Sequence, residues 1–227
     1  MASFYIQERL NRLRVSIDSN KLELLNNYVT EVRKWSQVHN LTGTKSLEKL
    51  VDRLVLDSVL VGDHIDFLNN FSILDKISIL DVGSGNGSPA VVWAIIKKNI
   101  HLRLIEKSRK KVAFLNHLIR NLGLNDQVEV LNHRIEDSSS YENLNLITCR
   151  AFMDIEAFLE ITYRLASKDT HWLLMTTSKN SHELSNQFLE KRGIIRVSDM
   201  SGALAKLDNS YEKNFVNKKI LLFKKAV

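Results

Sequence analysis

From residue 77 onward, short apolar runs alternate with stretches of helical periodicity, and that alternation leaves few folds open. Ile77 to Val82 is β-rich and buried in character, and a Gly-rich turn and a helix running to Ile96 follow it. Leu102 to Ile105 reads as the next strand, and Val112, Leu115, Leu118, Ile119 and Leu122 stripe one face of a helix. Val128 to Leu131, Leu144 to Thr148 and Trp172 to Thr176 supply further strands, with helices expected around 154–166 and 181–192. Strands alternating with helices of this length predict a parallel sheet with right-handed crossovers. The last two strands, Ile194 to Val197 and Ile220 to Phe223, predict an antiparallel edge joined by a long loop.

The first 70 residues have a different texture. Leu22, Leu25, Val29, Val32 and Trp35 form one helical stripe, and Leu47, Leu50, Val51, Leu54 and Val55 form another. Between them His39-Asn40-Leu41-Thr42-Gly43 reads as a turn. The expected organisation is a helical cap over residues 1–70 and a doubly wound α/β domain over 71–227, built as one structural unit. A single proline, Pro89, stands where about 5% usage would give roughly eleven in 227 residues, so long helices meet no obstacle.

Composition narrows the function classes. With 44% hydrophobic and 26% charged residues, the chain is neither disordered, collagenous nor a disulfide scaffold. Its one cysteine, Cys149, allows no internal disulfide and reads as a small buried hydrophobe. The N-terminus reaches charge before any apolar run, and no stretch approaches 18 uncharged apolar residues. A cytoplasmic protein without membrane attachment is expected. His64, His101, His117 and His133 share no ligand spacing, so no metal site is expected. The net charge of +6 permits a polyanionic partner without demanding one.

In a doubly wound sheet, ligands sit at the carboxyl ends of the strands, where the strand order reverses. The segment there is Asp81-Val82-Gly83-Ser84-Gly85-Asn86-Gly87-Ser88-Pro89. Gly83, Gly85 and Gly87 let backbone approach a ligand closely. Glu106, 21 residues after Gly85, ends the second strand and can accept hydrogen bonds from both hydroxyls of an adenosine ribose. A dinucleotide, S-adenosylmethionine (SAM) and a bare turn all compete for this arrangement. Pro89 stands where a helix would offer N–H groups to a pyrophosphate, and Asp81 where dinucleotide sites hold an apolar residue. An acid leading into G-x-G-x-G favours a cationic, phosphate-free ligand, which SAM is.

The run Trp35…His39-Asn40-Leu41-Thr42, then Arg53-Leu54-Val55-Leu56-Asp57-Ser58, then Asp81 to Pro89, resembles the ribosomal small-subunit methyltransferase G family, formerly glucose-inhibited division protein B. The likeness continues through Lys110-Lys111-Val112-Ala113-Phe114-Leu115, Arg134-Ile135-Glu136 and Arg150-Ala151-Phe152. It implies a Rossmann-like, SAM-dependent enzyme that methylates N7 of one guanosine in the 530 loop of 16S ribosomal RNA. The partner is then 16S rRNA or the small ribosomal subunit, met by a monomer. By the same resemblance Gly83 and Ser88 line the cofactor loop, Ile135 and Glu136 flank the adenine, and Arg150 lies beside the cofactor or the target base as the catalytic residue. Asp81, Gly85, Gly87 and Glu106 complete the expected cofactor set.

Three positions depart from the family pattern. Pro89-Ala90-Val91-Val92 replaces Pro-Gly-Ile-Pro, Leu54 replaces a histidine, and Met175-Thr176 replaces a Lys-Gly pair, with Lys179 the nearest substitute for the lysine. A diverged relative that binds RNA and SAM without transfer, a small-molecule methyltransferase and a dinucleotide oxidoreductase are the alternative readings.

Guanine N7 carries an in-plane lone pair and no proton, so methylation there needs no general base, and positioning supplies most of the catalysis. Because A-form RNA hides that edge, the base must be met in a loop or extruded. Phe152, Trp35 and Trp93 are the aromatic candidates for stacking, with core packing the simpler reading of each. Asp57 is expected to cap a turn or meet backbone. Basic clusters at Arg9, Arg12 and Arg14; at Lys97 and Lys98; at Lys107, Arg109, Lys110 and Lys111; and at Lys218, Lys219, Lys224 and Lys225 are candidates for phosphate contact.

Overall fold

The computed structural model describes residues 2–66, 76–150, 153–177, 184–199 and 218–226, without the side chains of 63–66, 177 and 218. The domain boundary expected near residue 70 lies outside these residues, as do Phe152, Lys179 and the side chain of His64. Helices α1 (Ala2–Arg12), α2 (Ser19–Trp35), α3 (Leu47–Val51) and α4 (Asp57–Asp66) precede the sheet, with a π-helical turn, Asp52–Leu56, between the last two. The remaining helices are α5 (Ala90–Ile96), α6 (Arg109–Asn121), α7 (Ile155–Thr162) and α8 (Asn186–Arg192). The strands are β1 (Ile77–Val82), β2 (Ile100–Ile105), β3 (Val128–Leu131), β4 (Leu146–Arg150), β5 (His171–Thr177), β6 (Ile194–Asp199) and β7 (Lys218–Lys225).

These strands form one sheet in the order β3-β2-β1-β4-β5-β7-β6. The first five are parallel, β7 runs antiparallel to β5, and β6 antiparallel to β7. The doubly wound α/β sheet with an antiparallel C-terminal edge is therefore the observed architecture. Its order reverses between β1 and β4, which is where a crevice opens at the strand ends.

Two cores result from the two-residue alternation of the strands. Ile79, Leu102, Leu104, Leu146, Leu173 and Met175 face one core, which continues without a break into Ile6, Leu10, Val29, Val32, Leu50 and Leu54 of the N-terminal helices. Leu80, Val82, Ile105, Ile147, Cys149 and Trp172 face the other, closed by Ile155, Phe158 and Leu159 of α7. All six residues of β1 are buried, as a central strand covered on both faces requires.

Helix ends follow their local chemistry. Asp18 caps α2 by accepting from the Lys21 N–H, and α8 stops at Gly193, whose φ of 59° closes the last turn. Trp93 is fully buried and donates from Nε1 to the Ser58 carbonyl, which ties α5 to α4. Trp35 is only half-buried, edge-on to Phe114 and between the rings of His39 and His117. Among the described residues, no helix is long and apolar enough to cross a membrane.

Candidate functional site

The turn after β1 is held from three sides. The Gly83 and Ser84 N–H groups donate to the Ile105 carbonyl of the neighbouring strand, and the Gly87 N–H closes back onto the Ser84 carbonyl. From the N-terminal helices, the Tyr28 hydroxyl donates to the Asn86 carbonyl at 3.2 Å, and Asn86 Nδ2 donates to the Leu41 carbonyl at 3.0 Å. Asn86 Oδ1 in turn accepts from the Ser88 N–H. Burial pushes the Tyr28 hydroxyl well above its ordinary pKa, so it remains a neutral donor. Gly83, Gly85 and Gly87 all have positive φ, as the loop pattern requires, and the Ser88–Pro89 peptide is cis.

Above this turn lies a cavity of about 460 Å³ whose walls include Gly83, Gly85, Ser88, Glu106 and Arg150, five of the nine residues the sequence nominates. Leu41 to Gly43 and Arg53 close it from the helical side, and Lys107 and Lys111 stand at its rim. Gly87, Asp81, Ile135 and Glu136 do not line it. Gly87 instead packs under the loop, where an added Cβ would meet Val91 Cγ2 at 2.7 Å. Ile135 is buried in the second core, and the Glu136 side chain is exposed on the 3-10 turn that both residues share.

Glu106 is buried, with both carboxylate oxygens set by backbone. Oε2 accepts from the Gly85 N–H at 3.1 Å and Oε1 from the Ser108 N–H at 2.9 Å. A carboxylate has about four acceptor positions, so each oxygen keeps capacity for one ribose hydroxyl. Asp81 is 1% exposed, and its Oδ2 has no hydrogen-bond partner among the described residues. Burial raises its pKa to about 7; Ser84 lowers it, Glu106 raises it further and Arg150 lowers it. A buried carboxylate oxygen left without a partner fits a ligand that brings a cation, and a carboxylate anchored at the end of β2 fits a ribose. The residues present therefore suit SAM.

Arg150 ends β4 and points to the same face as Asp81. Its Nη1 donates to the Arg53 carbonyl at 2.6 Å and to Ser88 Oγ at 2.7 Å, and its Nη2 to Asp57 Oδ2 at 3.2 Å. Asp57 thus does two things: its N–H ends the π-helical turn on the Asp52 carbonyl, as a turn cap was expected to, and its carboxylate pairs with Arg150 beside the cavity. The signal available in the sequence was an acid set between Leu56 and Val59 in an apolar helical stripe. Tyr28, Asn86 and Arg164 were also missed. Arg164 donates to the Ser138, Ile135 and Glu136 carbonyls and so fixes the 135–138 turn, a contact that spans about 28 residues and leaves no local pattern.

Met175 is buried in the first core and lies in register with Arg150 on one side and Ile220 on the other. No donor stands at that position. Among the basic clusters, Arg9 is engaged with Asp52, and Lys225 sits over the Tyr163 ring at 4.1 Å, while Lys107 and Lys111 face the cavity. No cluster of metal-ligating side chains occurs among the described residues.

Comparison with known proteins places this geometry in context. Residues 21–197 match the family model described as rRNA small subunit methyltransferase G. Ribosomal RNA small subunit methyltransferase G of Helicobacter hepaticus is 34% identical over 163 residues, covering 71% of this chain and 83% of that protein. The Mycoplasma capricolum protein of the same name is 33% identical over 178 residues, covering 78% and 74%. Among solved structures, a geranyl diphosphate methyltransferase in complex with SAM matches with a TM-score of 0.54 at 12% identity, over 76% of this chain and 85% of that one. The cyclase SpnF matches with a TM-score of 0.57 at 16% identity, over 94% and 98%. These structural likenesses describe the fold alone, and a cyclase among them underlines that the sheet does not set the reaction.

Proposed function

This chain belongs to the rRNA small subunit methyltransferase G family, and from that premise we propose that it methylates N7 of a guanosine in the 530 loop of 16S ribosomal RNA with SAM as donor. The observation that carries the proposal is the meeting of Glu106, the glycine loop and Arg150 around one cavity, beside Asp81, whose Oδ2 has no hydrogen-bond partner among the described residues.

When bound, SAM supplies an electrophilic methyl group on a sulfonium whose departure leaves a neutral thioether. In this reading Asp81 takes the ammonium of the amino-acid moiety, and Glu106 accepts the two ribose hydroxyls. Gly83, Gly85 and Ser88 bring backbone and hydroxyl against the donor, with Gly87 shaping the loop beneath. Ile135 and Glu136 flank the adenine on the turn that Arg164 braces. Arg150 touches cofactor or target base through the donors left over from its protein contacts. None of these residues has to remove a proton, because N7 has none to lose. Their work is to hold donor and nucleophile in line, which can account for a large part of such a barrier. Lys107 and Lys111 face the cavity rim and suit RNA phosphates, so binding should weaken steeply with salt. A monomer acting in the cytoplasm on the small subunit completes the proposal.

Met175 favours a second reading. Its apolar, buried side chain offers no hydrogen bond where the family has a lysine, as a relative that binds SAM and RNA without transfer would show. One experiment separates the two: incubation with labelled SAM and small subunits lacking the modification, followed by mapping of the base. Label at N7 of the 530-loop guanosine supports methylation, and bound SAM without transferred label supports the second reading.

A further inference from the structure

We propose that Asp57 is a positioning residue that neutralises Arg150, so that the cavity accepts the cationic methyl donor without charge repulsion. This rests on the reading that SAM occupies the cavity beside Arg150.

The walls of that cavity are strongly cationic. Arg53, Lys107, Lys111 and Arg150 line it against a single lining acid, Glu106. SAM carries a sulfonium and an ammonium, and a bare guanidinium at the end of β4 would oppose both. The problem does not end with binding, because methylation at N7 moves positive charge onto the base. A free cation at the reacting centre would raise that barrier as well.

The structure answers with a buried countercharge. The Asp57 side chain is 2% exposed and pairs with Arg150 Nη2 at 3.2 Å. Of the five N–H donors on a guanidinium, two are taken by the Arg53 carbonyl and Ser88 Oγ and one by Asp57. Among the described residues two donors remain, on a group whose charge is balanced and whose plane is fixed. Arg150 therefore presents hydrogen bonds to the cavity with little net field.

The π-helical turn makes this arrangement available. The Asp57 N–H returns to the Asp52 carbonyl, five residues back, so the turn is wider than an α-helical one. Carbonyls of this segment then serve side chains: that of Arg53 takes Arg150, and that of Leu54 takes Ser58 Oγ at 2.6 Å and Ser88 Oγ at 3.3 Å. Ser58 and Ser88 are themselves 3.0 Å apart, so one polar plate joins the turn, the glycine loop and the end of β4. Asp57, the residue that ends the widened turn, faces the guanidinium directly.

A role in charge balance is separable from a role in folding, because demethylation turns the donor into S-adenosylhomocysteine, a thioether of nearly the same shape with one positive charge fewer. Calorimetric titration of the full chain with each ligand gives an affinity ratio that charge moves and shape does not. Asp57→Asn should weaken SAM about tenfold, the effect of one unit charge at about 6 Å in a dielectric of about 40, and S-adenosylhomocysteine less than about twofold. Asp57→Glu, which keeps the charge, should retain the wild-type ratio. The double variant Asp57→Asn/Arg150→Gln, again neutral overall, should restore it, and this arm stands if the single Asn variant does not fold. Equal weakening of both ligands, or a ratio that the double variant leaves depressed, would overturn the proposal. Wild-type protein that bound neither ligand would overturn the cofactor reading itself and this inference with it. Both ligands bound tightly, with a ratio indifferent to Asp57, would remove the inference alone.

Discussion

Among the described residues each end of the sheet carries a polar cavity, and the larger of these two is at the end that lacks the glycine loop. At the amino ends of the strands a space of about 750 Å³ is lined by Lys76, Ser78, His101, Arg103, Asn145 and Thr170, among others. At the carboxyl ends the cavity measures about 460 Å³. What separates them is how their polar groups are satisfied. In the larger space Arg103 Nη1 donates to Ser78 Oγ, Arg103 lies over the Tyr141 ring and pairs with Glu129, Asn145 Oδ1 accepts from the Ser78 N–H, and Thr170 Oγ1 donates to the Leu144 carbonyl. Those groups spend their hydrogen bonds on holding strand ends and loops together. At the smaller one, glycines hold backbone close, and beneath its floor Asp81 Oδ2 is buried without a hydrogen-bond partner among the described residues. Size does not mark the candidate site; a buried acid with an oxygen that the described residues leave unsatisfied does.

The contrast can be broken most forcefully at Gly87. Its φ is +88°, and a Cβ would lie 2.7 Å from Val91 Cγ2. Gly87→Ala should cost about 2–4 kcal/mol of stability through left-handed strain and the clash together, and should abolish SAM binding. Thermal melts with and without SAM measure both; an unchanged melting temperature would show that the loop yields freely. Next in size is Glu106→Ala, expected to weaken SAM by about 1–3 kcal/mol through lost charge-assisted hydrogen bonds. Calorimetry that found the affinity unchanged would remove Glu106 from the cofactor's reach.

These two positions were legible in the sequence because their signals are local. A glycine every second residue after a β-rich run, and an acid at the end of the next strand, need only the strand order to become neighbours. Sheet and helices were readable for the same reason: the period of Val112 to Leu122 and the apolar run of Ile77 to Val82 each specify one element. Asp57 was legible only as an acid out of place in an apolar stripe; its pairing was not, since its partner Arg150 is 93 residues away and the π-helical turn that aims it has no sequence signature. Nor was the shape of the amino-end cavity, which depends on Tyr141 and Asn145 folding back from a loop. Trp35 was expected in the core; it lies at the core's edge because the chain turns away at Ser36 and leaves its ring between two histidines.

Asp81 sharpens the comparison through pH. Its folded pKa of about 7 lies above the unfolded value near 3.8, so the folded chain holds a proton that the unfolded chain releases. That contribution to stability is fully present below about pH 4 and is lost as pH rises through 7. Without ligand, the melting temperature should therefore fall between pH 5 and 8, and Asp81→Asn should flatten the decline. A cation placed against the carboxylate reverses the preference, so SAM should raise the melting temperature more at pH 7.5 than at pH 6, with Asp81→Asn removing most of the difference. A SAM-induced shift equal at both pH values in the wild type would mean that Asp81 does not meet the ligand's charge.

The smallest effect is expected at the opposite end, and it tests whether the distinction between the cavities is real. Arg103→Ala removes a hydrogen bond to Ser78, an exposed pairing with Glu129 and a contact with Tyr141, none of which reaches the glycine loop. Ser78 and Gly83 are five residues apart along β1, roughly 16 Å at the rise of an extended strand. Glu129 is largely exposed, so its pairing contributes little, and the loss should be about 0.5–1.5 kcal/mol of stability. SAM affinity should stay within about twofold of wild type, because no side chain between the two ends changes its partner. Denaturant unfolding and calorimetry on one preparation give both numbers. Should Arg103→Ala weaken SAM as much as Glu106→Ala does, the two ends would be coupled through β1. The amino-end cavity would then count as part of the functional apparatus, and internal pairing would no longer serve to tell a structural cavity from a binding one.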